Sequence, residues 1–205
     1  GIAYSSNWSD GTVAIDVGGG NAGGSMQRPV QLGQPAIHPN GWNHAAFPYR
    51  SQSTGKSYLF GGDEAFPYRN ESFMAGQPER AGGWVHVYDA DDWEHPKEVA
   101  RYQVPEAGSH NLWVEDDILY VAYYNAGLRV VDVSGELMGD LYQQGREIAF
   151  WEAFDPQGFV RNAPMAWAPQ PYKGNIFVAD HNSGLWAVKL EAKEPGPIRN
   201  LGEPR

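Results

Sequence analysis

The sequence predicts an all-β protein, a β-propeller of four-stranded blades, with about three and a half blades in this chain as part of a larger ring. Three observations carry that expectation. The 25 glycines and 15 prolines are spread along the 205 residues rather than clustered, which marks many short elements separated by turns. One pattern recurs in four places: an apolar strand, a polar turn with Asn or Asp and a glycine, then a second strand. The equivalent glycines lie about 40 to 70 residues apart, the spacing of blades that carry variable loops.

The first copy runs from Ile2 through the turn Asn7–Asp10 and Gly11 to Val17. The second pairs Ser57–Phe60 with Gly83–Asp89 across a long polar excursion. The third is the cleanest, Ile118–Tyr124, Asn125–Gly127 and Leu128–Val133. The fourth joins Asn175–Ala179 to Leu185–Leu190 through Asp180–Gly184. These hairpins read as the B and C strands of successive blades. Short apolar stretches before them (His44–Tyr49, His110–Glu115, Pro164–Trp167) read as inner A strands, and those after them (Val30–Leu32, Glu98–Tyr102, Ile148–Trp151) as outer D strands. The blade repeats of this single domain are then 1–36, 37–104, 105–155 and 156–205. A β-sandwich offers a similar strand count. Repetition favours the propeller, because near-continuous apolar strands such as Val121–Tyr124 suit sheets covered on both faces by neighbouring blades.

The stretch Gly127-Leu-Arg-Val-Val-Asp-Val-Ser134 resembles the motif of the LVIVD-repeat propeller family. Gly11–Val17 and Gly83–Asp89 are looser copies, and Gly184–Leu190 places Lys189 where the motif has its acid. The resemblance implies a bacterial-type protein, exported to the periplasm or the extracellular surface, and assigns no biochemistry. The chain opens at Gly1 directly before a strand, so an N-terminal piece is expected to have been removed. Because about three and a half blades are fewer than a closed ring needs, the missing blades are expected from a longer native chain, a second copy or another subunit.

Composition excludes several classes. With 25 acidic against 15 basic residues the net charge is -10, which repels phosphate backbones and argues against nucleic acid as a partner. The absence of cysteine removes disulfides, thiolate metal ligands and cysteine nucleophiles. No apolar run reaches the roughly 18 residues of a membrane span. The nucleophile-elbow and zinc-protease motifs are missing as well. The glycine-rich stretch Gly18–Gly24 lacks the lysine and helix of a phosphate loop and reads as a flexible connection between C and D strands.

Chemistry concentrates on one expected rim. His44 and His110 occupy matched starts of A strands, where inner strands of consecutive blades converge, while Asp10, Asp63, Glu64, Asp180 and His181 fall in the B-to-C connections of the same rim. Imidazoles with carboxylates suit a divalent ion such as calcium, manganese or zinc, so a metal site built from His44, His110, Asp63, Glu64, Asp180 and His181 is one expectation. The packing alternative has each imidazole bonded to a backbone carbonyl. For Asp10 and Asp180 the competing role is to stabilise a turn through their own backbone. Trp8, Trp42, Phe66 and Tyr68 fall in rim loops, where aromatic faces stack on sugars or clamp peptides. The Asp63–Gly82 excursion, far longer than its counterpart at Asn125, is expected to contact a partner. Two functions follow. One is a non-catalytic binding or assembly propeller contacting a protein or glycan through its rim; the other is a metal-dependent oxidoreductase or hydrolase.

Overall fold

Short stretches rich in β-branched and aromatic residues build most of the strands described, with alternating burial in strands such as 12–16 and 175–180 and near-continuous burial in the central ones, 57–63 and 118–123. The computed structural model describes residues 1–39, 41–65, 83–105 and 107–191. Among them there is no helix, and hence none long and apolar enough to cross a membrane. Fifteen strands form four sheets.

The first sheet holds β1 (Ile2–Ser6), β2 (Thr12–Asp16) and β3 (Val30–Ala36) in that order. The second orders β4 (Asn43–Arg50), β5 (Ser57–Asp63), β6 (Val85–Asp89) and β7 (Lys97–Tyr102) as an antiparallel meander. The third repeats it with β8 (Leu112–Glu115), β9 (Ile118–Tyr123), β10 (Gly127–Asp132) and β12 (Glu147–Trp151). The fourth holds β13 (Ala166–Tyr172), β14 (Asn175–Asp180) and β15 (Gly184–Val188). A two-residue strand β11 (Gly139–Asp140), from the connection after β10, adds to the second sheet parallel to β7. The expected four-stranded unit is thus complete in the third sheet, extended to five strands in the second, and three-stranded in the first and fourth among the described residues.

Consecutive sheets meet along β1, β4, β8 and β13; β4, β8 and β13 carry the stretches expected as inner strands, whereas β1, expected as a B strand, takes the matching place in the first sheet. Backbone bridges tie them there, Trp8 to Asn43 and Tyr124 to Ala166. The architecture is all-β and propeller-like. Its largest core lies between the second and third sheets, where Phe60, Val85, Val87 and Tyr102 pack on Leu119, Val121, Tyr123 and Val131. The third and fourth sheets enclose Tyr120, Ala122, Leu128 and Val130 against Ile176, Val178 and Trp186. A smaller cluster of Ala36, Leu59 and Tyr88 joins the first two.

The connection expected to be flexible is instead wrapped around a carboxylate. Asp16 accepts hydrogen bonds from the backbone N–H groups of Gly18, Gly20, Ala22 and Gly24 at 2.9 to 3.1 Å, and these donors hold its pKa below the ordinary value. Glycine is required for so close an approach. A Cβ at Gly24 would lie 2.1 Å from the Asp16 carbonyl oxygen.

Candidate functional site at the inner-strand ends

Two bulges decide which side chains meet at the end of the inner strands. In β4 the register shifts between Asn43 and Ala45, leaving His44 as the extra residue; in β13 it shifts between Ala166 and Ala168, leaving Trp167. A bulge re-aims the side chain it carries. His110 stands at the corresponding place just before β8, its N–H bonded to the Ala122 carbonyl. Three equivalent positions of consecutive sheets therefore present His44, His110 and Trp167 side by side, with ring centroids 4.5 and 3.9 Å apart. Trp8 flanks His44 at 6.3 Å, and the His181 ring lies tilted against Trp167 at 4.0 Å.

Glu64 completes a constellation between the two imidazoles. Its Oε2 lies 3.2 Å from His44 Nδ1 and its Oε1 3.8 Å from His110 Nε2. The glutamate is fixed from its backbone, because its N–H donates to the Trp42 carbonyl and the next N–H, of Ala65, donates to the Ser109 carbonyl. His110 donates from Nδ1 to the Trp167 carbonyl at 2.8 Å, which leaves Nε2 directed at Glu64. Burial lowers the His110 pKa in spite of that bond, so its neutral form prevails. The site is open on one side, since His44 and Glu64 are 30% and 20% exposed while His110 is 2% exposed.

A second histidine cluster lies behind it, wholly buried. Asp63, the last residue of β5, turns the opposite way from Glu64 and accepts from His38 Nδ1 at 2.7 Å and the Trp84 N–H at 3.1 Å, with His86 Nε2 at 3.4 Å. His86 Nδ1 meets Glu98 at 2.9 Å. Asn43 orients the network: its Oδ1 accepts from the Asn7 N–H and the Thr12 hydroxyl, so its amide Nδ2 must donate to His38 Nε2. His38 is therefore the neutral tautomer that carries its proton on Nδ1, and burial, the dominant effect, lowers its pKa. His86 lies between two carboxylates. Burial lowers its pKa, but the bonds to Asp63 and Glu98 outweigh this and raise it to about 9, so it is an imidazolium at neutral pH. Burial raises the Asp63 pKa, and the two imidazoles reverse that and hold it well below the carboxylate range.

The expected site residues thus divide. His44, Glu64 and His110 come together, Asp63 belongs to the buried cluster, and His181 stands outside both groups, against the Trp167 ring. Asp180 organises its turn: its carboxylate accepts from Met165 N, Asn182 N, Ser183 N and the Ser183 hydroxyl. Asp10 is exposed in its turn. Of the aromatic group, Trp8 is 52% exposed beside His44, Trp42 is half-buried, and Phe66 and Tyr68, with the rest of 66–82, lie outside the described residues. Sequence reasoning passed over His38 and His86. Their only signal was the residue type, since their partners lie 25 and 23 residues away from them at Asp63.

The class these features define is an all-β, propeller-like protein with a histidine–carboxylate cluster where its inner strands end. No protein-family model matches the chain, and no curated protein matches it. Among solved structures it is similar to the AfRom2 CNH domain, with 12% identity and a TM-score of 0.42 over 89% of this chain and 53% of that one. The chain spans about half the length of that structure.

Proposed function

We propose that this chain is an assembly and binding segment of a larger propeller, whose terminal sheet receives another β-sheet of the same kind and whose rim contacts a protein or glycan. One observation carries the reading. Aligned on their hairpins, β9–β10 and β14–β15 place Phe177, Ala179, Leu185 and Ala187 where the third sheet has Tyr120, Ala122, Leu128 and Val130. The latter four are buried beneath the fourth sheet, with Leu128 2% exposed, whereas Leu185 is 73% exposed among the described residues. Burying a leucine is worth about 1.5–3 kcal/mol, so an apolar set repeated at positions built to be covered favours a covering sheet.

The first sheet offers the reciprocal feature. Its outer face is an open groove of about 510 Å³ lined in part by Ser5, Val13, Ile15, Pro35 and Ile37. The four sheets then read as about three and a half blades of a ring completed by a longer chain or a second subunit. The Gly127–Ser134 repeat supports placing the chain with the LVIVD-repeat propellers and, with them, outside the cytoplasm.

The test is the state of the 205-residue chain itself. It should self-associate as concentration rises and bind the apolar dye anilinonaphthalene sulfonate, both read by light scattering and fluorescence. Leu185→Glu should reduce both without lowering the unfolding midpoint. A wild type that stays monomeric and dye-free at high concentration sinks the reading.

A further inference from the structure

We infer that His44, Glu64 and His110 bind one divalent first-row transition-metal ion in a half-open, three-ligand site. The inference goes beyond the assembly reading and rests on other residues. Bond lengths of about 2.1 Å at near-tetrahedral angles place ligand atoms about 3.4 Å apart. The Glu64 oxygens lie 3.2 and 3.8 Å from the two ring nitrogens, and one ligand atom from each residue falls within 4.8 Å of the others. Only small rotations are needed to close on an ion.

The donor set selects the ion. Two imidazoles and one carboxylate suit zinc, iron, cobalt, nickel or copper, whereas calcium and magnesium take oxygen ligands almost alone. The surrounding bonds point the same way. A ligating histidine characteristically gives its other ring N–H to a carbonyl or carboxylate, which fixes the tautomer and aims the lone pair. His110 does this through Nδ1 and the Trp167 carbonyl, leaving Nε2 as the donor atom facing Glu64. The bulge at His44 aims the second imidazole at the same carboxylate.

The buried cluster is the competing site, and its own bonding rejects it. His38 Nδ1 carries a proton toward Asp63, its Nε2 accepts from Asn43, and both nitrogens of His86 face carboxylates. An ion there would have to displace protons that this network holds in place, and no residue of that cluster's His–Asp–His core reaches solvent. At His44 and Glu64 the exposed side leaves room for water or a small exogenous ligand. Three protein ligands with an open position are the arrangement of exchangeable, reactive metal sites, and closed structural sites use four.

Titration of the full chain with Co²⁺, followed by its visible absorption and by Zn²⁺ competition, tests the site directly. One equivalent should bind, with an intensity typical of four or five coordination. His44→Ala and the His44→Ala/His110→Ala pair should weaken binding more than about 100-fold, beyond the 10- to 100-fold that supporting contacts supply. Glu64→Gln should weaken it by at least about 10-fold. His95→Ala, at an exposed histidine that belongs to neither cluster, should leave it unchanged. If the double variant unfolds, the partly exposed His44→Gln carries the test alone. No Co²⁺ bound by the wild type, or an equivalent retained at similar affinity in His44→Ala, overturns the inference; the retained equivalent would move the ion to His38, Asp63 and His86.

Discussion

Asp63 and Glu64 are neighbours in sequence, yet each organises two histidines in a different physical setting. Asp63 faces the junction of the first two sheets and sits among His38, His86 and Trp84 with no solvent exposure. Glu64 faces the junction of the second and third and meets His44 and His110 at longer range, with solvent on one side. The same residue types therefore take opposite roles. Where every nitrogen has a partner, histidine and carboxylate form a structural ion pair; where lone pairs converge on an open space, they make the candidate coordination site proposed above. Composition alone does not separate the two, but the bonding of the remaining ring nitrogen does.

The largest effect expected from this comparison comes from Asp63→Ala. It would leave the His38 and Trp84 N–H groups without their acceptor and the His86 imidazolium with Glu98 alone. Removing one partner of a buried pair costs about 3–5 kcal/mol. Urea unfolding measures this, and a loss below about 1 kcal/mol would erase the distinction between the clusters.

A second effect is tied to pH. His86 titrates near 6.5 when unfolded and at about 9 when folded, so its contribution is fully present below pH 6.5 and is lost as pH rises through 9. The size is on the order of 3 kcal/mol. His38 acts with the opposite sign: its pKa falls on folding, so its contribution is lost as pH drops below 6.5. Of the two histidines, the alkaline side therefore belongs to His86, ahead of the buried tyrosines, whose loss begins only near pH 10. Urea midpoints at pH 6.5, 8 and 9.5 should decline in that order, and a flat series would remove the buried imidazolium.

Much of this arrangement was legible in the sequence. The hairpins at 2–17, 118–133 and 175–190 were readable because strand, Asx-containing turn, glycine and strand are all local signals. His44 and His110 were readable as a pair because the repeat places them at equivalent strand starts, and Glu64 because it follows the strand they face. His38 and His86 were not. Their roles arise from the packing of one sheet against the next, which has no periodicity along the chain. Neither was the parallel pairing of β11 with β7, which brings Gly139, from the connection after a strand of the third sheet, to Ala100 at the edge of the second. The Gly18–Gly24 connection misled for a related reason. Glycine content signals freedom only until a carboxylate such as Asp16 gathers the N–H groups that glycine exposes.

Gly61→Ala is the third and more moderate probe. A Cβ at this buried strand position would come 2.5 Å from His38 Nε2, which is held by Asn43 and cannot swing aside. Overpacking of this kind costs about 1–3 kcal/mol. Stability should fall, while the affinity for Co²⁺ at the open cluster should stay within about twofold of wild type, since the added Cβ has its nearest contacts in His38 and Tyr88 rather than in the three residues of that cluster. A parallel loss of both would show the two clusters to be one coupled unit.

The smallest effect is expected at His44, and its smallness is informative. Its ring touches Trp8 and His110, it faces Glu64 across 3.2 Å, and nearly a third of its side chain is exposed. An exposed histidine–carboxylate pair contributes about 0–1 kcal/mol, and truncation at a solvent-facing bulge leaves no closed cavity. His44→Ala should therefore shift the metal-free unfolding free energy by no more than about 0.5 kcal/mol. In the presence of saturating Zn²⁺ the wild type should gain stability by mass action, about 2.7 kcal/mol at a hundred times its Kd, and the variant should not. The contrast between equal stabilities without metal and unequal ones with it distinguishes a ligand from a packing residue. Equal stabilities in both conditions would return His44 to the packing role that the buried histidines fill.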